Sequence, residues 1–159
     1  MQLRIVCAGK LKEAYYREAA GEYARRIGRF VPLEVDEVAD ERIPEAFSPA
    51  QERIAVEKEG RRILERIGEK DHVIALCIEG RMYDSVGFAT RLNELAEGGK
   101  SRVVFVIGGS SGLSGEVLER SDEKISLSRM TFPHRIARIL LLEQIYRAYK
   151  ILRHETYHK

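Results

Sequence analysis

Short apolar runs alternate with longer amphipathic stretches along the chain. Gln2–Ala8, Leu33–Val38, His72–Ile78, Val103–Ile107 and Ile125–Ser128 are rich in Val, Ile and Leu and are bounded by Gly, Pro or polar residues, as strands are. HVIALCI, residues 72–78, is almost continuously apolar, the pattern of a central parallel strand covered on both faces. Between these runs the period lengthens. Tyr16, Ala20, Tyr23 and Ile27 form one stripe of a helix over 11–27, stopped by Gly28 and Pro32. Ser48-Pro49-Ala50-Gln51 predicts a capped helix start, with Val56, Gly60, Ile63 and Ile67 on its inner face and Gly68 beyond its end. Ser85 is the expected cap of a third helix, whose core face is Ala89, Leu92 and Leu95–Ala96. A short helix follows over 115–120, and a long one after Pro133. Strands that alternate with helices in this way predict an α/β fold, a parallel sheet with helices on both faces. Neither repeat nor linker interrupts 1–159, so a single domain is expected.

The last helix breaks the amphipathic pattern. Ile136, Ala137, Ile139, Leu140, Leu141 and Leu142 occupy most of its circumference. A helix apolar all round needs cover on every side. In a chain of 159 residues a second copy is the natural source of that cover, so a homodimer is expected.

Composition adds bounds. A hydrophobic fraction of 44% with 33% charged residues suits a water-soluble core, and no apolar run approaches the roughly 18 residues of a membrane span. The opening MQLRIVCAGK reads directly as a strand, without the cleavage region of a signal peptide. Cys7 and Cys77 sit in apolar strands without CxxC spacing, which reads as reduced, buried thiols and a cytoplasmic setting. The net charge of +2 hides an asymmetry: residues 133–159 hold six Lys/Arg against Glu143 and Glu155, whereas the rest is slightly acidic. A basic end on a neutral body fits a polyanion such as nucleic acid, or else a solvated helix face.

Three segments carry candidate chemistry. Gly108, Gly109 and Gly112 follow a strand, where bare backbone can approach a ligand closely, or can simply turn the chain. The pattern is neither GxGxxG nor GxxxxGK[ST], which argues against dinucleotides and P-loop chemistry. Leu127-Ser128-Arg129-Met130-Thr131-Phe132, closed by Pro133, offers backbone groups and apolar walls suited to an adenine and a thioether or sulfonium chain. It reads equally as core residues and a cap. The ending His154-Glu155-Thr156-Tyr157-His158-Lys159 combines groups that stack on bases and steady negative charge. His154 and His158 stand at i, i+4 without an evident third ligand, so no metal is expected.

VFVIGGSSGL, LSRMTFPH and LLEQIYRAYKI with the final YHK resemble the bacterial ribosomal large-subunit pseudouridine N3-methyltransferases, of the SPOUT (α/β-knot) class; VCAGKLKE and EKEGRRIL extend the resemblance across the chain. It implies a parallel α/β sheet ending in a C-terminal trefoil knot. It implies S-adenosyl-L-methionine held by Leu76, Gly108, Leu127, Ser128, Arg129, Met130, Thr131 and Phe132. The implied partners are a second copy and 23S rRNA within the assembled ribosome, and the implied target is N3 of a pseudouridine in helix 69. A SPOUT enzyme acting on another RNA, such as tRNA, and a non-catalytic RNA-binding module are the competing readings.

On this resemblance the donor methyl points from the Gly108 and Leu127–Phe132 loops toward the C-terminal tail. His158 is the first candidate to take the N3 proton, since imidazole titrates near neutral pH. Tyr157 stacks on or bonds the base, Arg147 and His134 steady the developing charge, and Arg135 and Lys159 hold phosphate.

Overall fold

In the computed structural model, which describes all 159 residues, the apolar runs become strands β1 (Gln2–Ala8), β2 (Leu33–Val38), β3 (His72–Met82), β4 (Arg102–Ile107) and β5 (Glu123–Ser126). The helices are α1 (Ala14–Ile27), α2 (Pro49–Leu64), α3 (Ser85–Glu97), α4 (Gly115–Arg120) and α5 (His134–Leu152). The strands form one parallel sheet in the order β2-β1-β4-β3-β5.

Both faces of the sheet are covered, and the alternation of its side chains shows how. Leu3, Ile5 and Cys7 of β1 and Val103, Phe105 and Ile107 of β4 point into the larger core, against α1, α3 and α5. Val6, Ala8, Val104 and Val106 point the other way, into a smaller core under α2 and α4. A strand buried on both faces has no polar side to show, which is why β1, β3 and β4 read as continuous apolar runs. No helix is long and apolar enough to cross a membrane.

Several local details differ from the sequence expectation. The first helix starts at Ala14, because Leu11 is buried and its amide points to Glu37 Oε2 at 3.4 Å instead of entering a helical turn. The second ends at Leu64, and its inner face is Ala55, Glu59, Gly60 and Ile63, with Val56 only half-buried. Ser48 and Gln51 do close the reciprocal capping box. Asp84 rather than Ser85 caps α3, accepting from Gly87 N at 2.7 Å, and Ser85 Oγ instead donates to Gln144 on α5. Phe88 takes the core position expected of Ala96, which is exposed.

The largest difference is in β3, which runs on to Met82. Ile125 of β5 pairs first with Leu76 and again with Arg81, so residues 77–80 bulge around it. Gly80 allows this passage, because a Cβ there would lie 2.4–2.7 Å from the Ile125 backbone. Packing of α5 also refines the expectation. It lies between α1 and α3, buries Ala137, Arg138, Leu141, Leu142, Ile145 and Ala148, and leaves Ile136 and Leu140 half-buried on its outer side.

Candidate active site

At the carboxyl ends of β3, β4 and β5 the loops part around a cleft of about 1210 Å³. Ligands of open parallel sheets bind at such strand ends. Its floor is the glycine turn after β4. Gly109 and Gly112 close it through a 3.1 Å backbone bond, Gly112 with φ +84°. Gly108 leaves no room for a side chain: a Cβ would stand 2.6 Å from the Gly112 carbonyl oxygen. The wall facing the ligand here is therefore backbone, set by tight chain packing.

The opposite wall is the loop after β5. Leu76, Gly108, Leu127, Ser128, Met130, Thr131 and Phe132 all line the cleft, as does half-buried Cys77, which the sequence suggested was fully buried. Ser126 Oγ donates to Ser128 O at 2.8 Å and Ser128 Oγ accepts from Met130 N at 3.0 Å, so two hydroxyls hold the loop open. Met130 is 74% exposed at the rim. Arg129 is placed differently. Its guanidinium turns away from the cleft lining and donates to the carbonyls of Ile78 and Gly80, tying this loop to the β3 bulge.

The third wall is the acidic loop that follows β2. Asp40, Glu41, Arg42 and Ile43 line the cleft after β2. Glu59 of α2, 4% exposed, accepts the Glu41 amide at 2.7 Å, and Arg62 donates to Ala39 O at 2.9 Å and to Glu41 Oε1 at 2.7 Å. Burial pushes the Glu59 carboxyl above its usual range. The signal was available in the acids of 36–45 and the Glu59/Arg62 pair a helical turn apart, yet nothing local says that they meet.

His134 and Arg135 open α5 at the cleft edge. Burial, then the neighbouring Arg135 charge, holds the His134 imidazole below the usual histidine range, which favours the neutral ring. Arg135 meets Glu13 at 3.4 Å.

The tail does not join this cleft within one chain. It folds back on the far end of α5, where Tyr157 donates to Glu143 Oε1 at 3.1 Å and stands edge-on to Tyr146 at 4.9 Å. Arg147 lies over the Tyr157 ring at 4.7 Å, pairs with Glu143 at 2.6 Å and reaches His158 Nδ1 at 3.3 Å. Partial burial, then the Glu143 bond, pushes the Tyr157 hydroxyl up to about 12. At 1.5 Å per residue, His134 and Arg147 are roughly 20 Å apart along the helix. Of the expected residues, the structure thus gathers the loop set with His134 and Arg135, and separately gathers Arg147, Tyr157 and His158. Lys159 follows as an exposed end. The Arg147 contact also constrains His158. A guanidinium can only donate, so Nδ1 accepts and the neutral ring carries its proton on Nε2. No group of three or more His, Cys, Asp or Glu side chains is placed to hold a metal ion.

A five-stranded parallel sheet with a backbone-lined cleft at its strand ends is the frame of an open α/β protein that binds a ligand there. Residues 1–158 match the family model described as "Predicted SPOUT methyltransferase", and the chain belongs to that family. Over all 159 residues, covering 100% of both chains, it is 51% identical to proteins named "Ribosomal RNA large subunit methyltransferase H" from Bacillus thuringiensis (strain Al Hakam) and Bacillus anthracis. Among solved structures it is similar in fold to "a probable methylase family protein from Haemophilus influenzae Rd KW20", with TM-score 0.55 and 12% identity, covering 99% of this chain and 70% of that one.

Proposed function

We propose that the chain is an S-adenosylmethionine-dependent rRNA methyltransferase that methylates N3 of a pseudouridine in helix 69 of 23S rRNA, on assembled ribosomes and as a homodimer. The observation that carries this reading is 51% identity along the whole chain, cleft and tail included, to large-subunit rRNA methyltransferases. The cleft supports the cofactor. Gly108, Leu76 and the Leu127–Phe132 loop offer bare backbone and apolar surface to an adenosine, and Asp40 offers negative charge to a sulfonium. The close passage of 77–80 around Ile125 supports a threaded C-terminal region, the trefoil of the resemblance.

Two features support a pair of copies. Ile136 and Leu140 share one helical face with Gln144, and the bond from Ser85 to Gln144 brings the half-exposed Val86 beside them. A two-fold contact repeats the same patch on both subunits. If the two α5 helices run antiparallel across it, the tail end of one copy lies against the cleft end of the other. The partner's Tyr157 and the partner's His158 then complete a cleft that a single chain leaves without them.

S-adenosylmethionine, when bound, supplies an activated methyl group. The chain's residues hold the base and move its N3 proton. Neutral His134, inside the cleft, takes that proton. His158, with Arg147 on Nδ1, presents Nε2–H to the charge that develops on the base oxygens; this assigns it the donor's part where the sequence suggested the acceptor's. Tyr157 stacks on the base, Arg147 adds positive charge, and Arg135 and Lys159 meet phosphates.

Incubation with methyl-labelled S-adenosylmethionine and intact ribosomes, free 23S rRNA or tRNA tests the substrate, with the modified base mapped by mass spectrometry. Label on one pseudouridine of ribosomal 23S rRNA is expected; label in tRNA alone, or none, ends the reading. Co-assembly of a Gly108→Val chain with one lacking 157–159 tests the shared site. Neither variant is active alone, and the mixture recovers activity only where cleft and tail come from different copies.

A further inference from the structure

The turn between β1 and α1 is held far more firmly than an exposed turn requires. Gly9, with φ +94°, donates to Val38 O at 2.9 Å, and its carbonyl accepts from Arg138 Nη2, also at 2.9 Å. Arg138 is 3% exposed and pairs with Glu37 at 2.7 Å, and the same Glu37 faces the Leu11 amide. Arg17 donates to Leu11 O at 3.2 Å and to Lys12 O as well. An ion pair with a buried arginine, together with a second arginine, thus fixes the stretch from Gly9 to Lys12.

That frame displays Lys10 and Lys12, both exposed and neither in an ion pair. Of the neighbouring carboxylates, Glu13 is engaged by Arg135 and Glu37 by Arg138, so neither neutralises the two lysines. Asp40 stands across Gly9, on the cleft side. One helical turn on, Tyr15 is 65% exposed, its ring set against Tyr16 at 4.5 Å. An unpaired ammonium pair beside an exposed phenol ring is the chemistry of single-stranded nucleic acid: cations for phosphates, a flat face for a base. The position fits a strand whose target base enters the cleft, since a Cβ on Gly9 would lie 3.6 Å from His134 Nε2. Arg135, on the same rim, has a buried Nε without a hydrogen-bond partner.

We propose that Lys10 and Lys12 clamp the phosphodiester backbone of the RNA beside the target nucleotide, with a flanking base laid on Tyr15. The proposal rests on the RNA-methyltransferase reading and adds residues that reading does not use. Fixing the lysines in advance removes backbone ordering from the cost of binding, which gives the Glu37–Arg138 pair a purpose beyond stability.

The test is equilibrium binding of the full chain to 23S rRNA and to intact ribosomes across a salt series, with S-adenosylmethionine affinity by calorimetry as the check on folding. Lys10→Ala with Lys12→Ala is expected to weaken RNA binding at least about tenfold and to flatten the slope of log affinity against log salt by about 1.5, as two lost phosphate contacts require. Lys10→Arg with Lys12→Arg restores both. Tyr15→Ala weakens binding roughly tenfold without changing the slope, as loss of stacking does. RNA affinity or salt slope unchanged by the double alanine variant overturns the clamp alone. A wild-type chain without affinity for either RNA overturns the clamp and the reading beneath it.

Discussion

The two ends of α5 are built by opposite means. At its start the cleft is a backbone structure: glycines without room for a Cβ, hydroxyls that pin a loop, and an acidic wall clamped from α2. At its far end the tail is a side-chain structure, in which Glu143 joins Arg147 and Tyr157, and Arg147 reaches His158. The first suits binding, because its shape is set by close backbone packing and by hydrogen bonds that hold its loops. The second suits chemistry, because its groups are polarised by one another. Roughly 20 Å of one helix separates them, and the proposed function therefore draws the two ends from two copies.

Removing Tyr157–Lys159 is the sharpest way to break that division. Turnover on ribosomes should fall by roughly a thousandfold, within the range for lost acid–base and charge-stabilising groups, while cofactor affinity by calorimetry stays within about twofold. A tail-less chain that turns over normally would remove the tail from the mechanism. Gly108→Val makes the converse cut. Its side chain must displace the Gly112 carbonyl, 2.6 Å from the added Cβ, and overpacking of this kind costs about 1–3 kcal/mol, or up to roughly 100-fold in cofactor affinity. Unchanged calorimetric affinity would take the glycine turn out of the site.

The smallest effect sharpens the tail itself. The Tyr157 and Tyr149 hydroxyls are both pushed up to about 12, by partial burial with Glu143 for the first and by burial for the second. Between pH 10 and about 12 the unfolded chain gives up these protons while the folded chain keeps them. Stability present below pH 10 should therefore drain away across that window, and absorbance at the tyrosinate band should show two late-ionising rings. Glu143→Gln removes one cause at Tyr157 and should bring that ionisation earlier without moving Tyr149. A Tyr157 titration identical in the variant would mean that Glu143 does not hold the tail.

Much of the fold was legible because local patterns carry it. Apolar runs with strand periods, the Ser48–Gln51 box and the Gly108-Gly109 turn each depend on residues a few positions apart, and each took the expected form. What the sequence left out has one cause. The resemblance implied that Arg129 belongs to the cofactor loop, and carbonyls some fifty positions earlier hold its guanidinium. The Asp40–Ile43 wall leaves no local mark in the sequence because Glu59, which holds it, arrives from α2. The tail looked adjacent to the cleft because they are neighbours in the chain, whereas α5 between them is a rod.

By itself, then, the order of residues determined the alternation of strands and helices, the sheet that buries both faces, and which loops are glycine-rich or basic. Burial of apolar side chains and short-range capping suffice for those. Tertiary structure alone decided the strand order β2-β1-β4-β3-β5, the passage of residues 77–80 around Ile125, the third wall of the cleft, and the distance between cleft and tail. These follow from which distant groups satisfy one another's charges and hydrogen bonds, and such partnerships leave no period in the sequence.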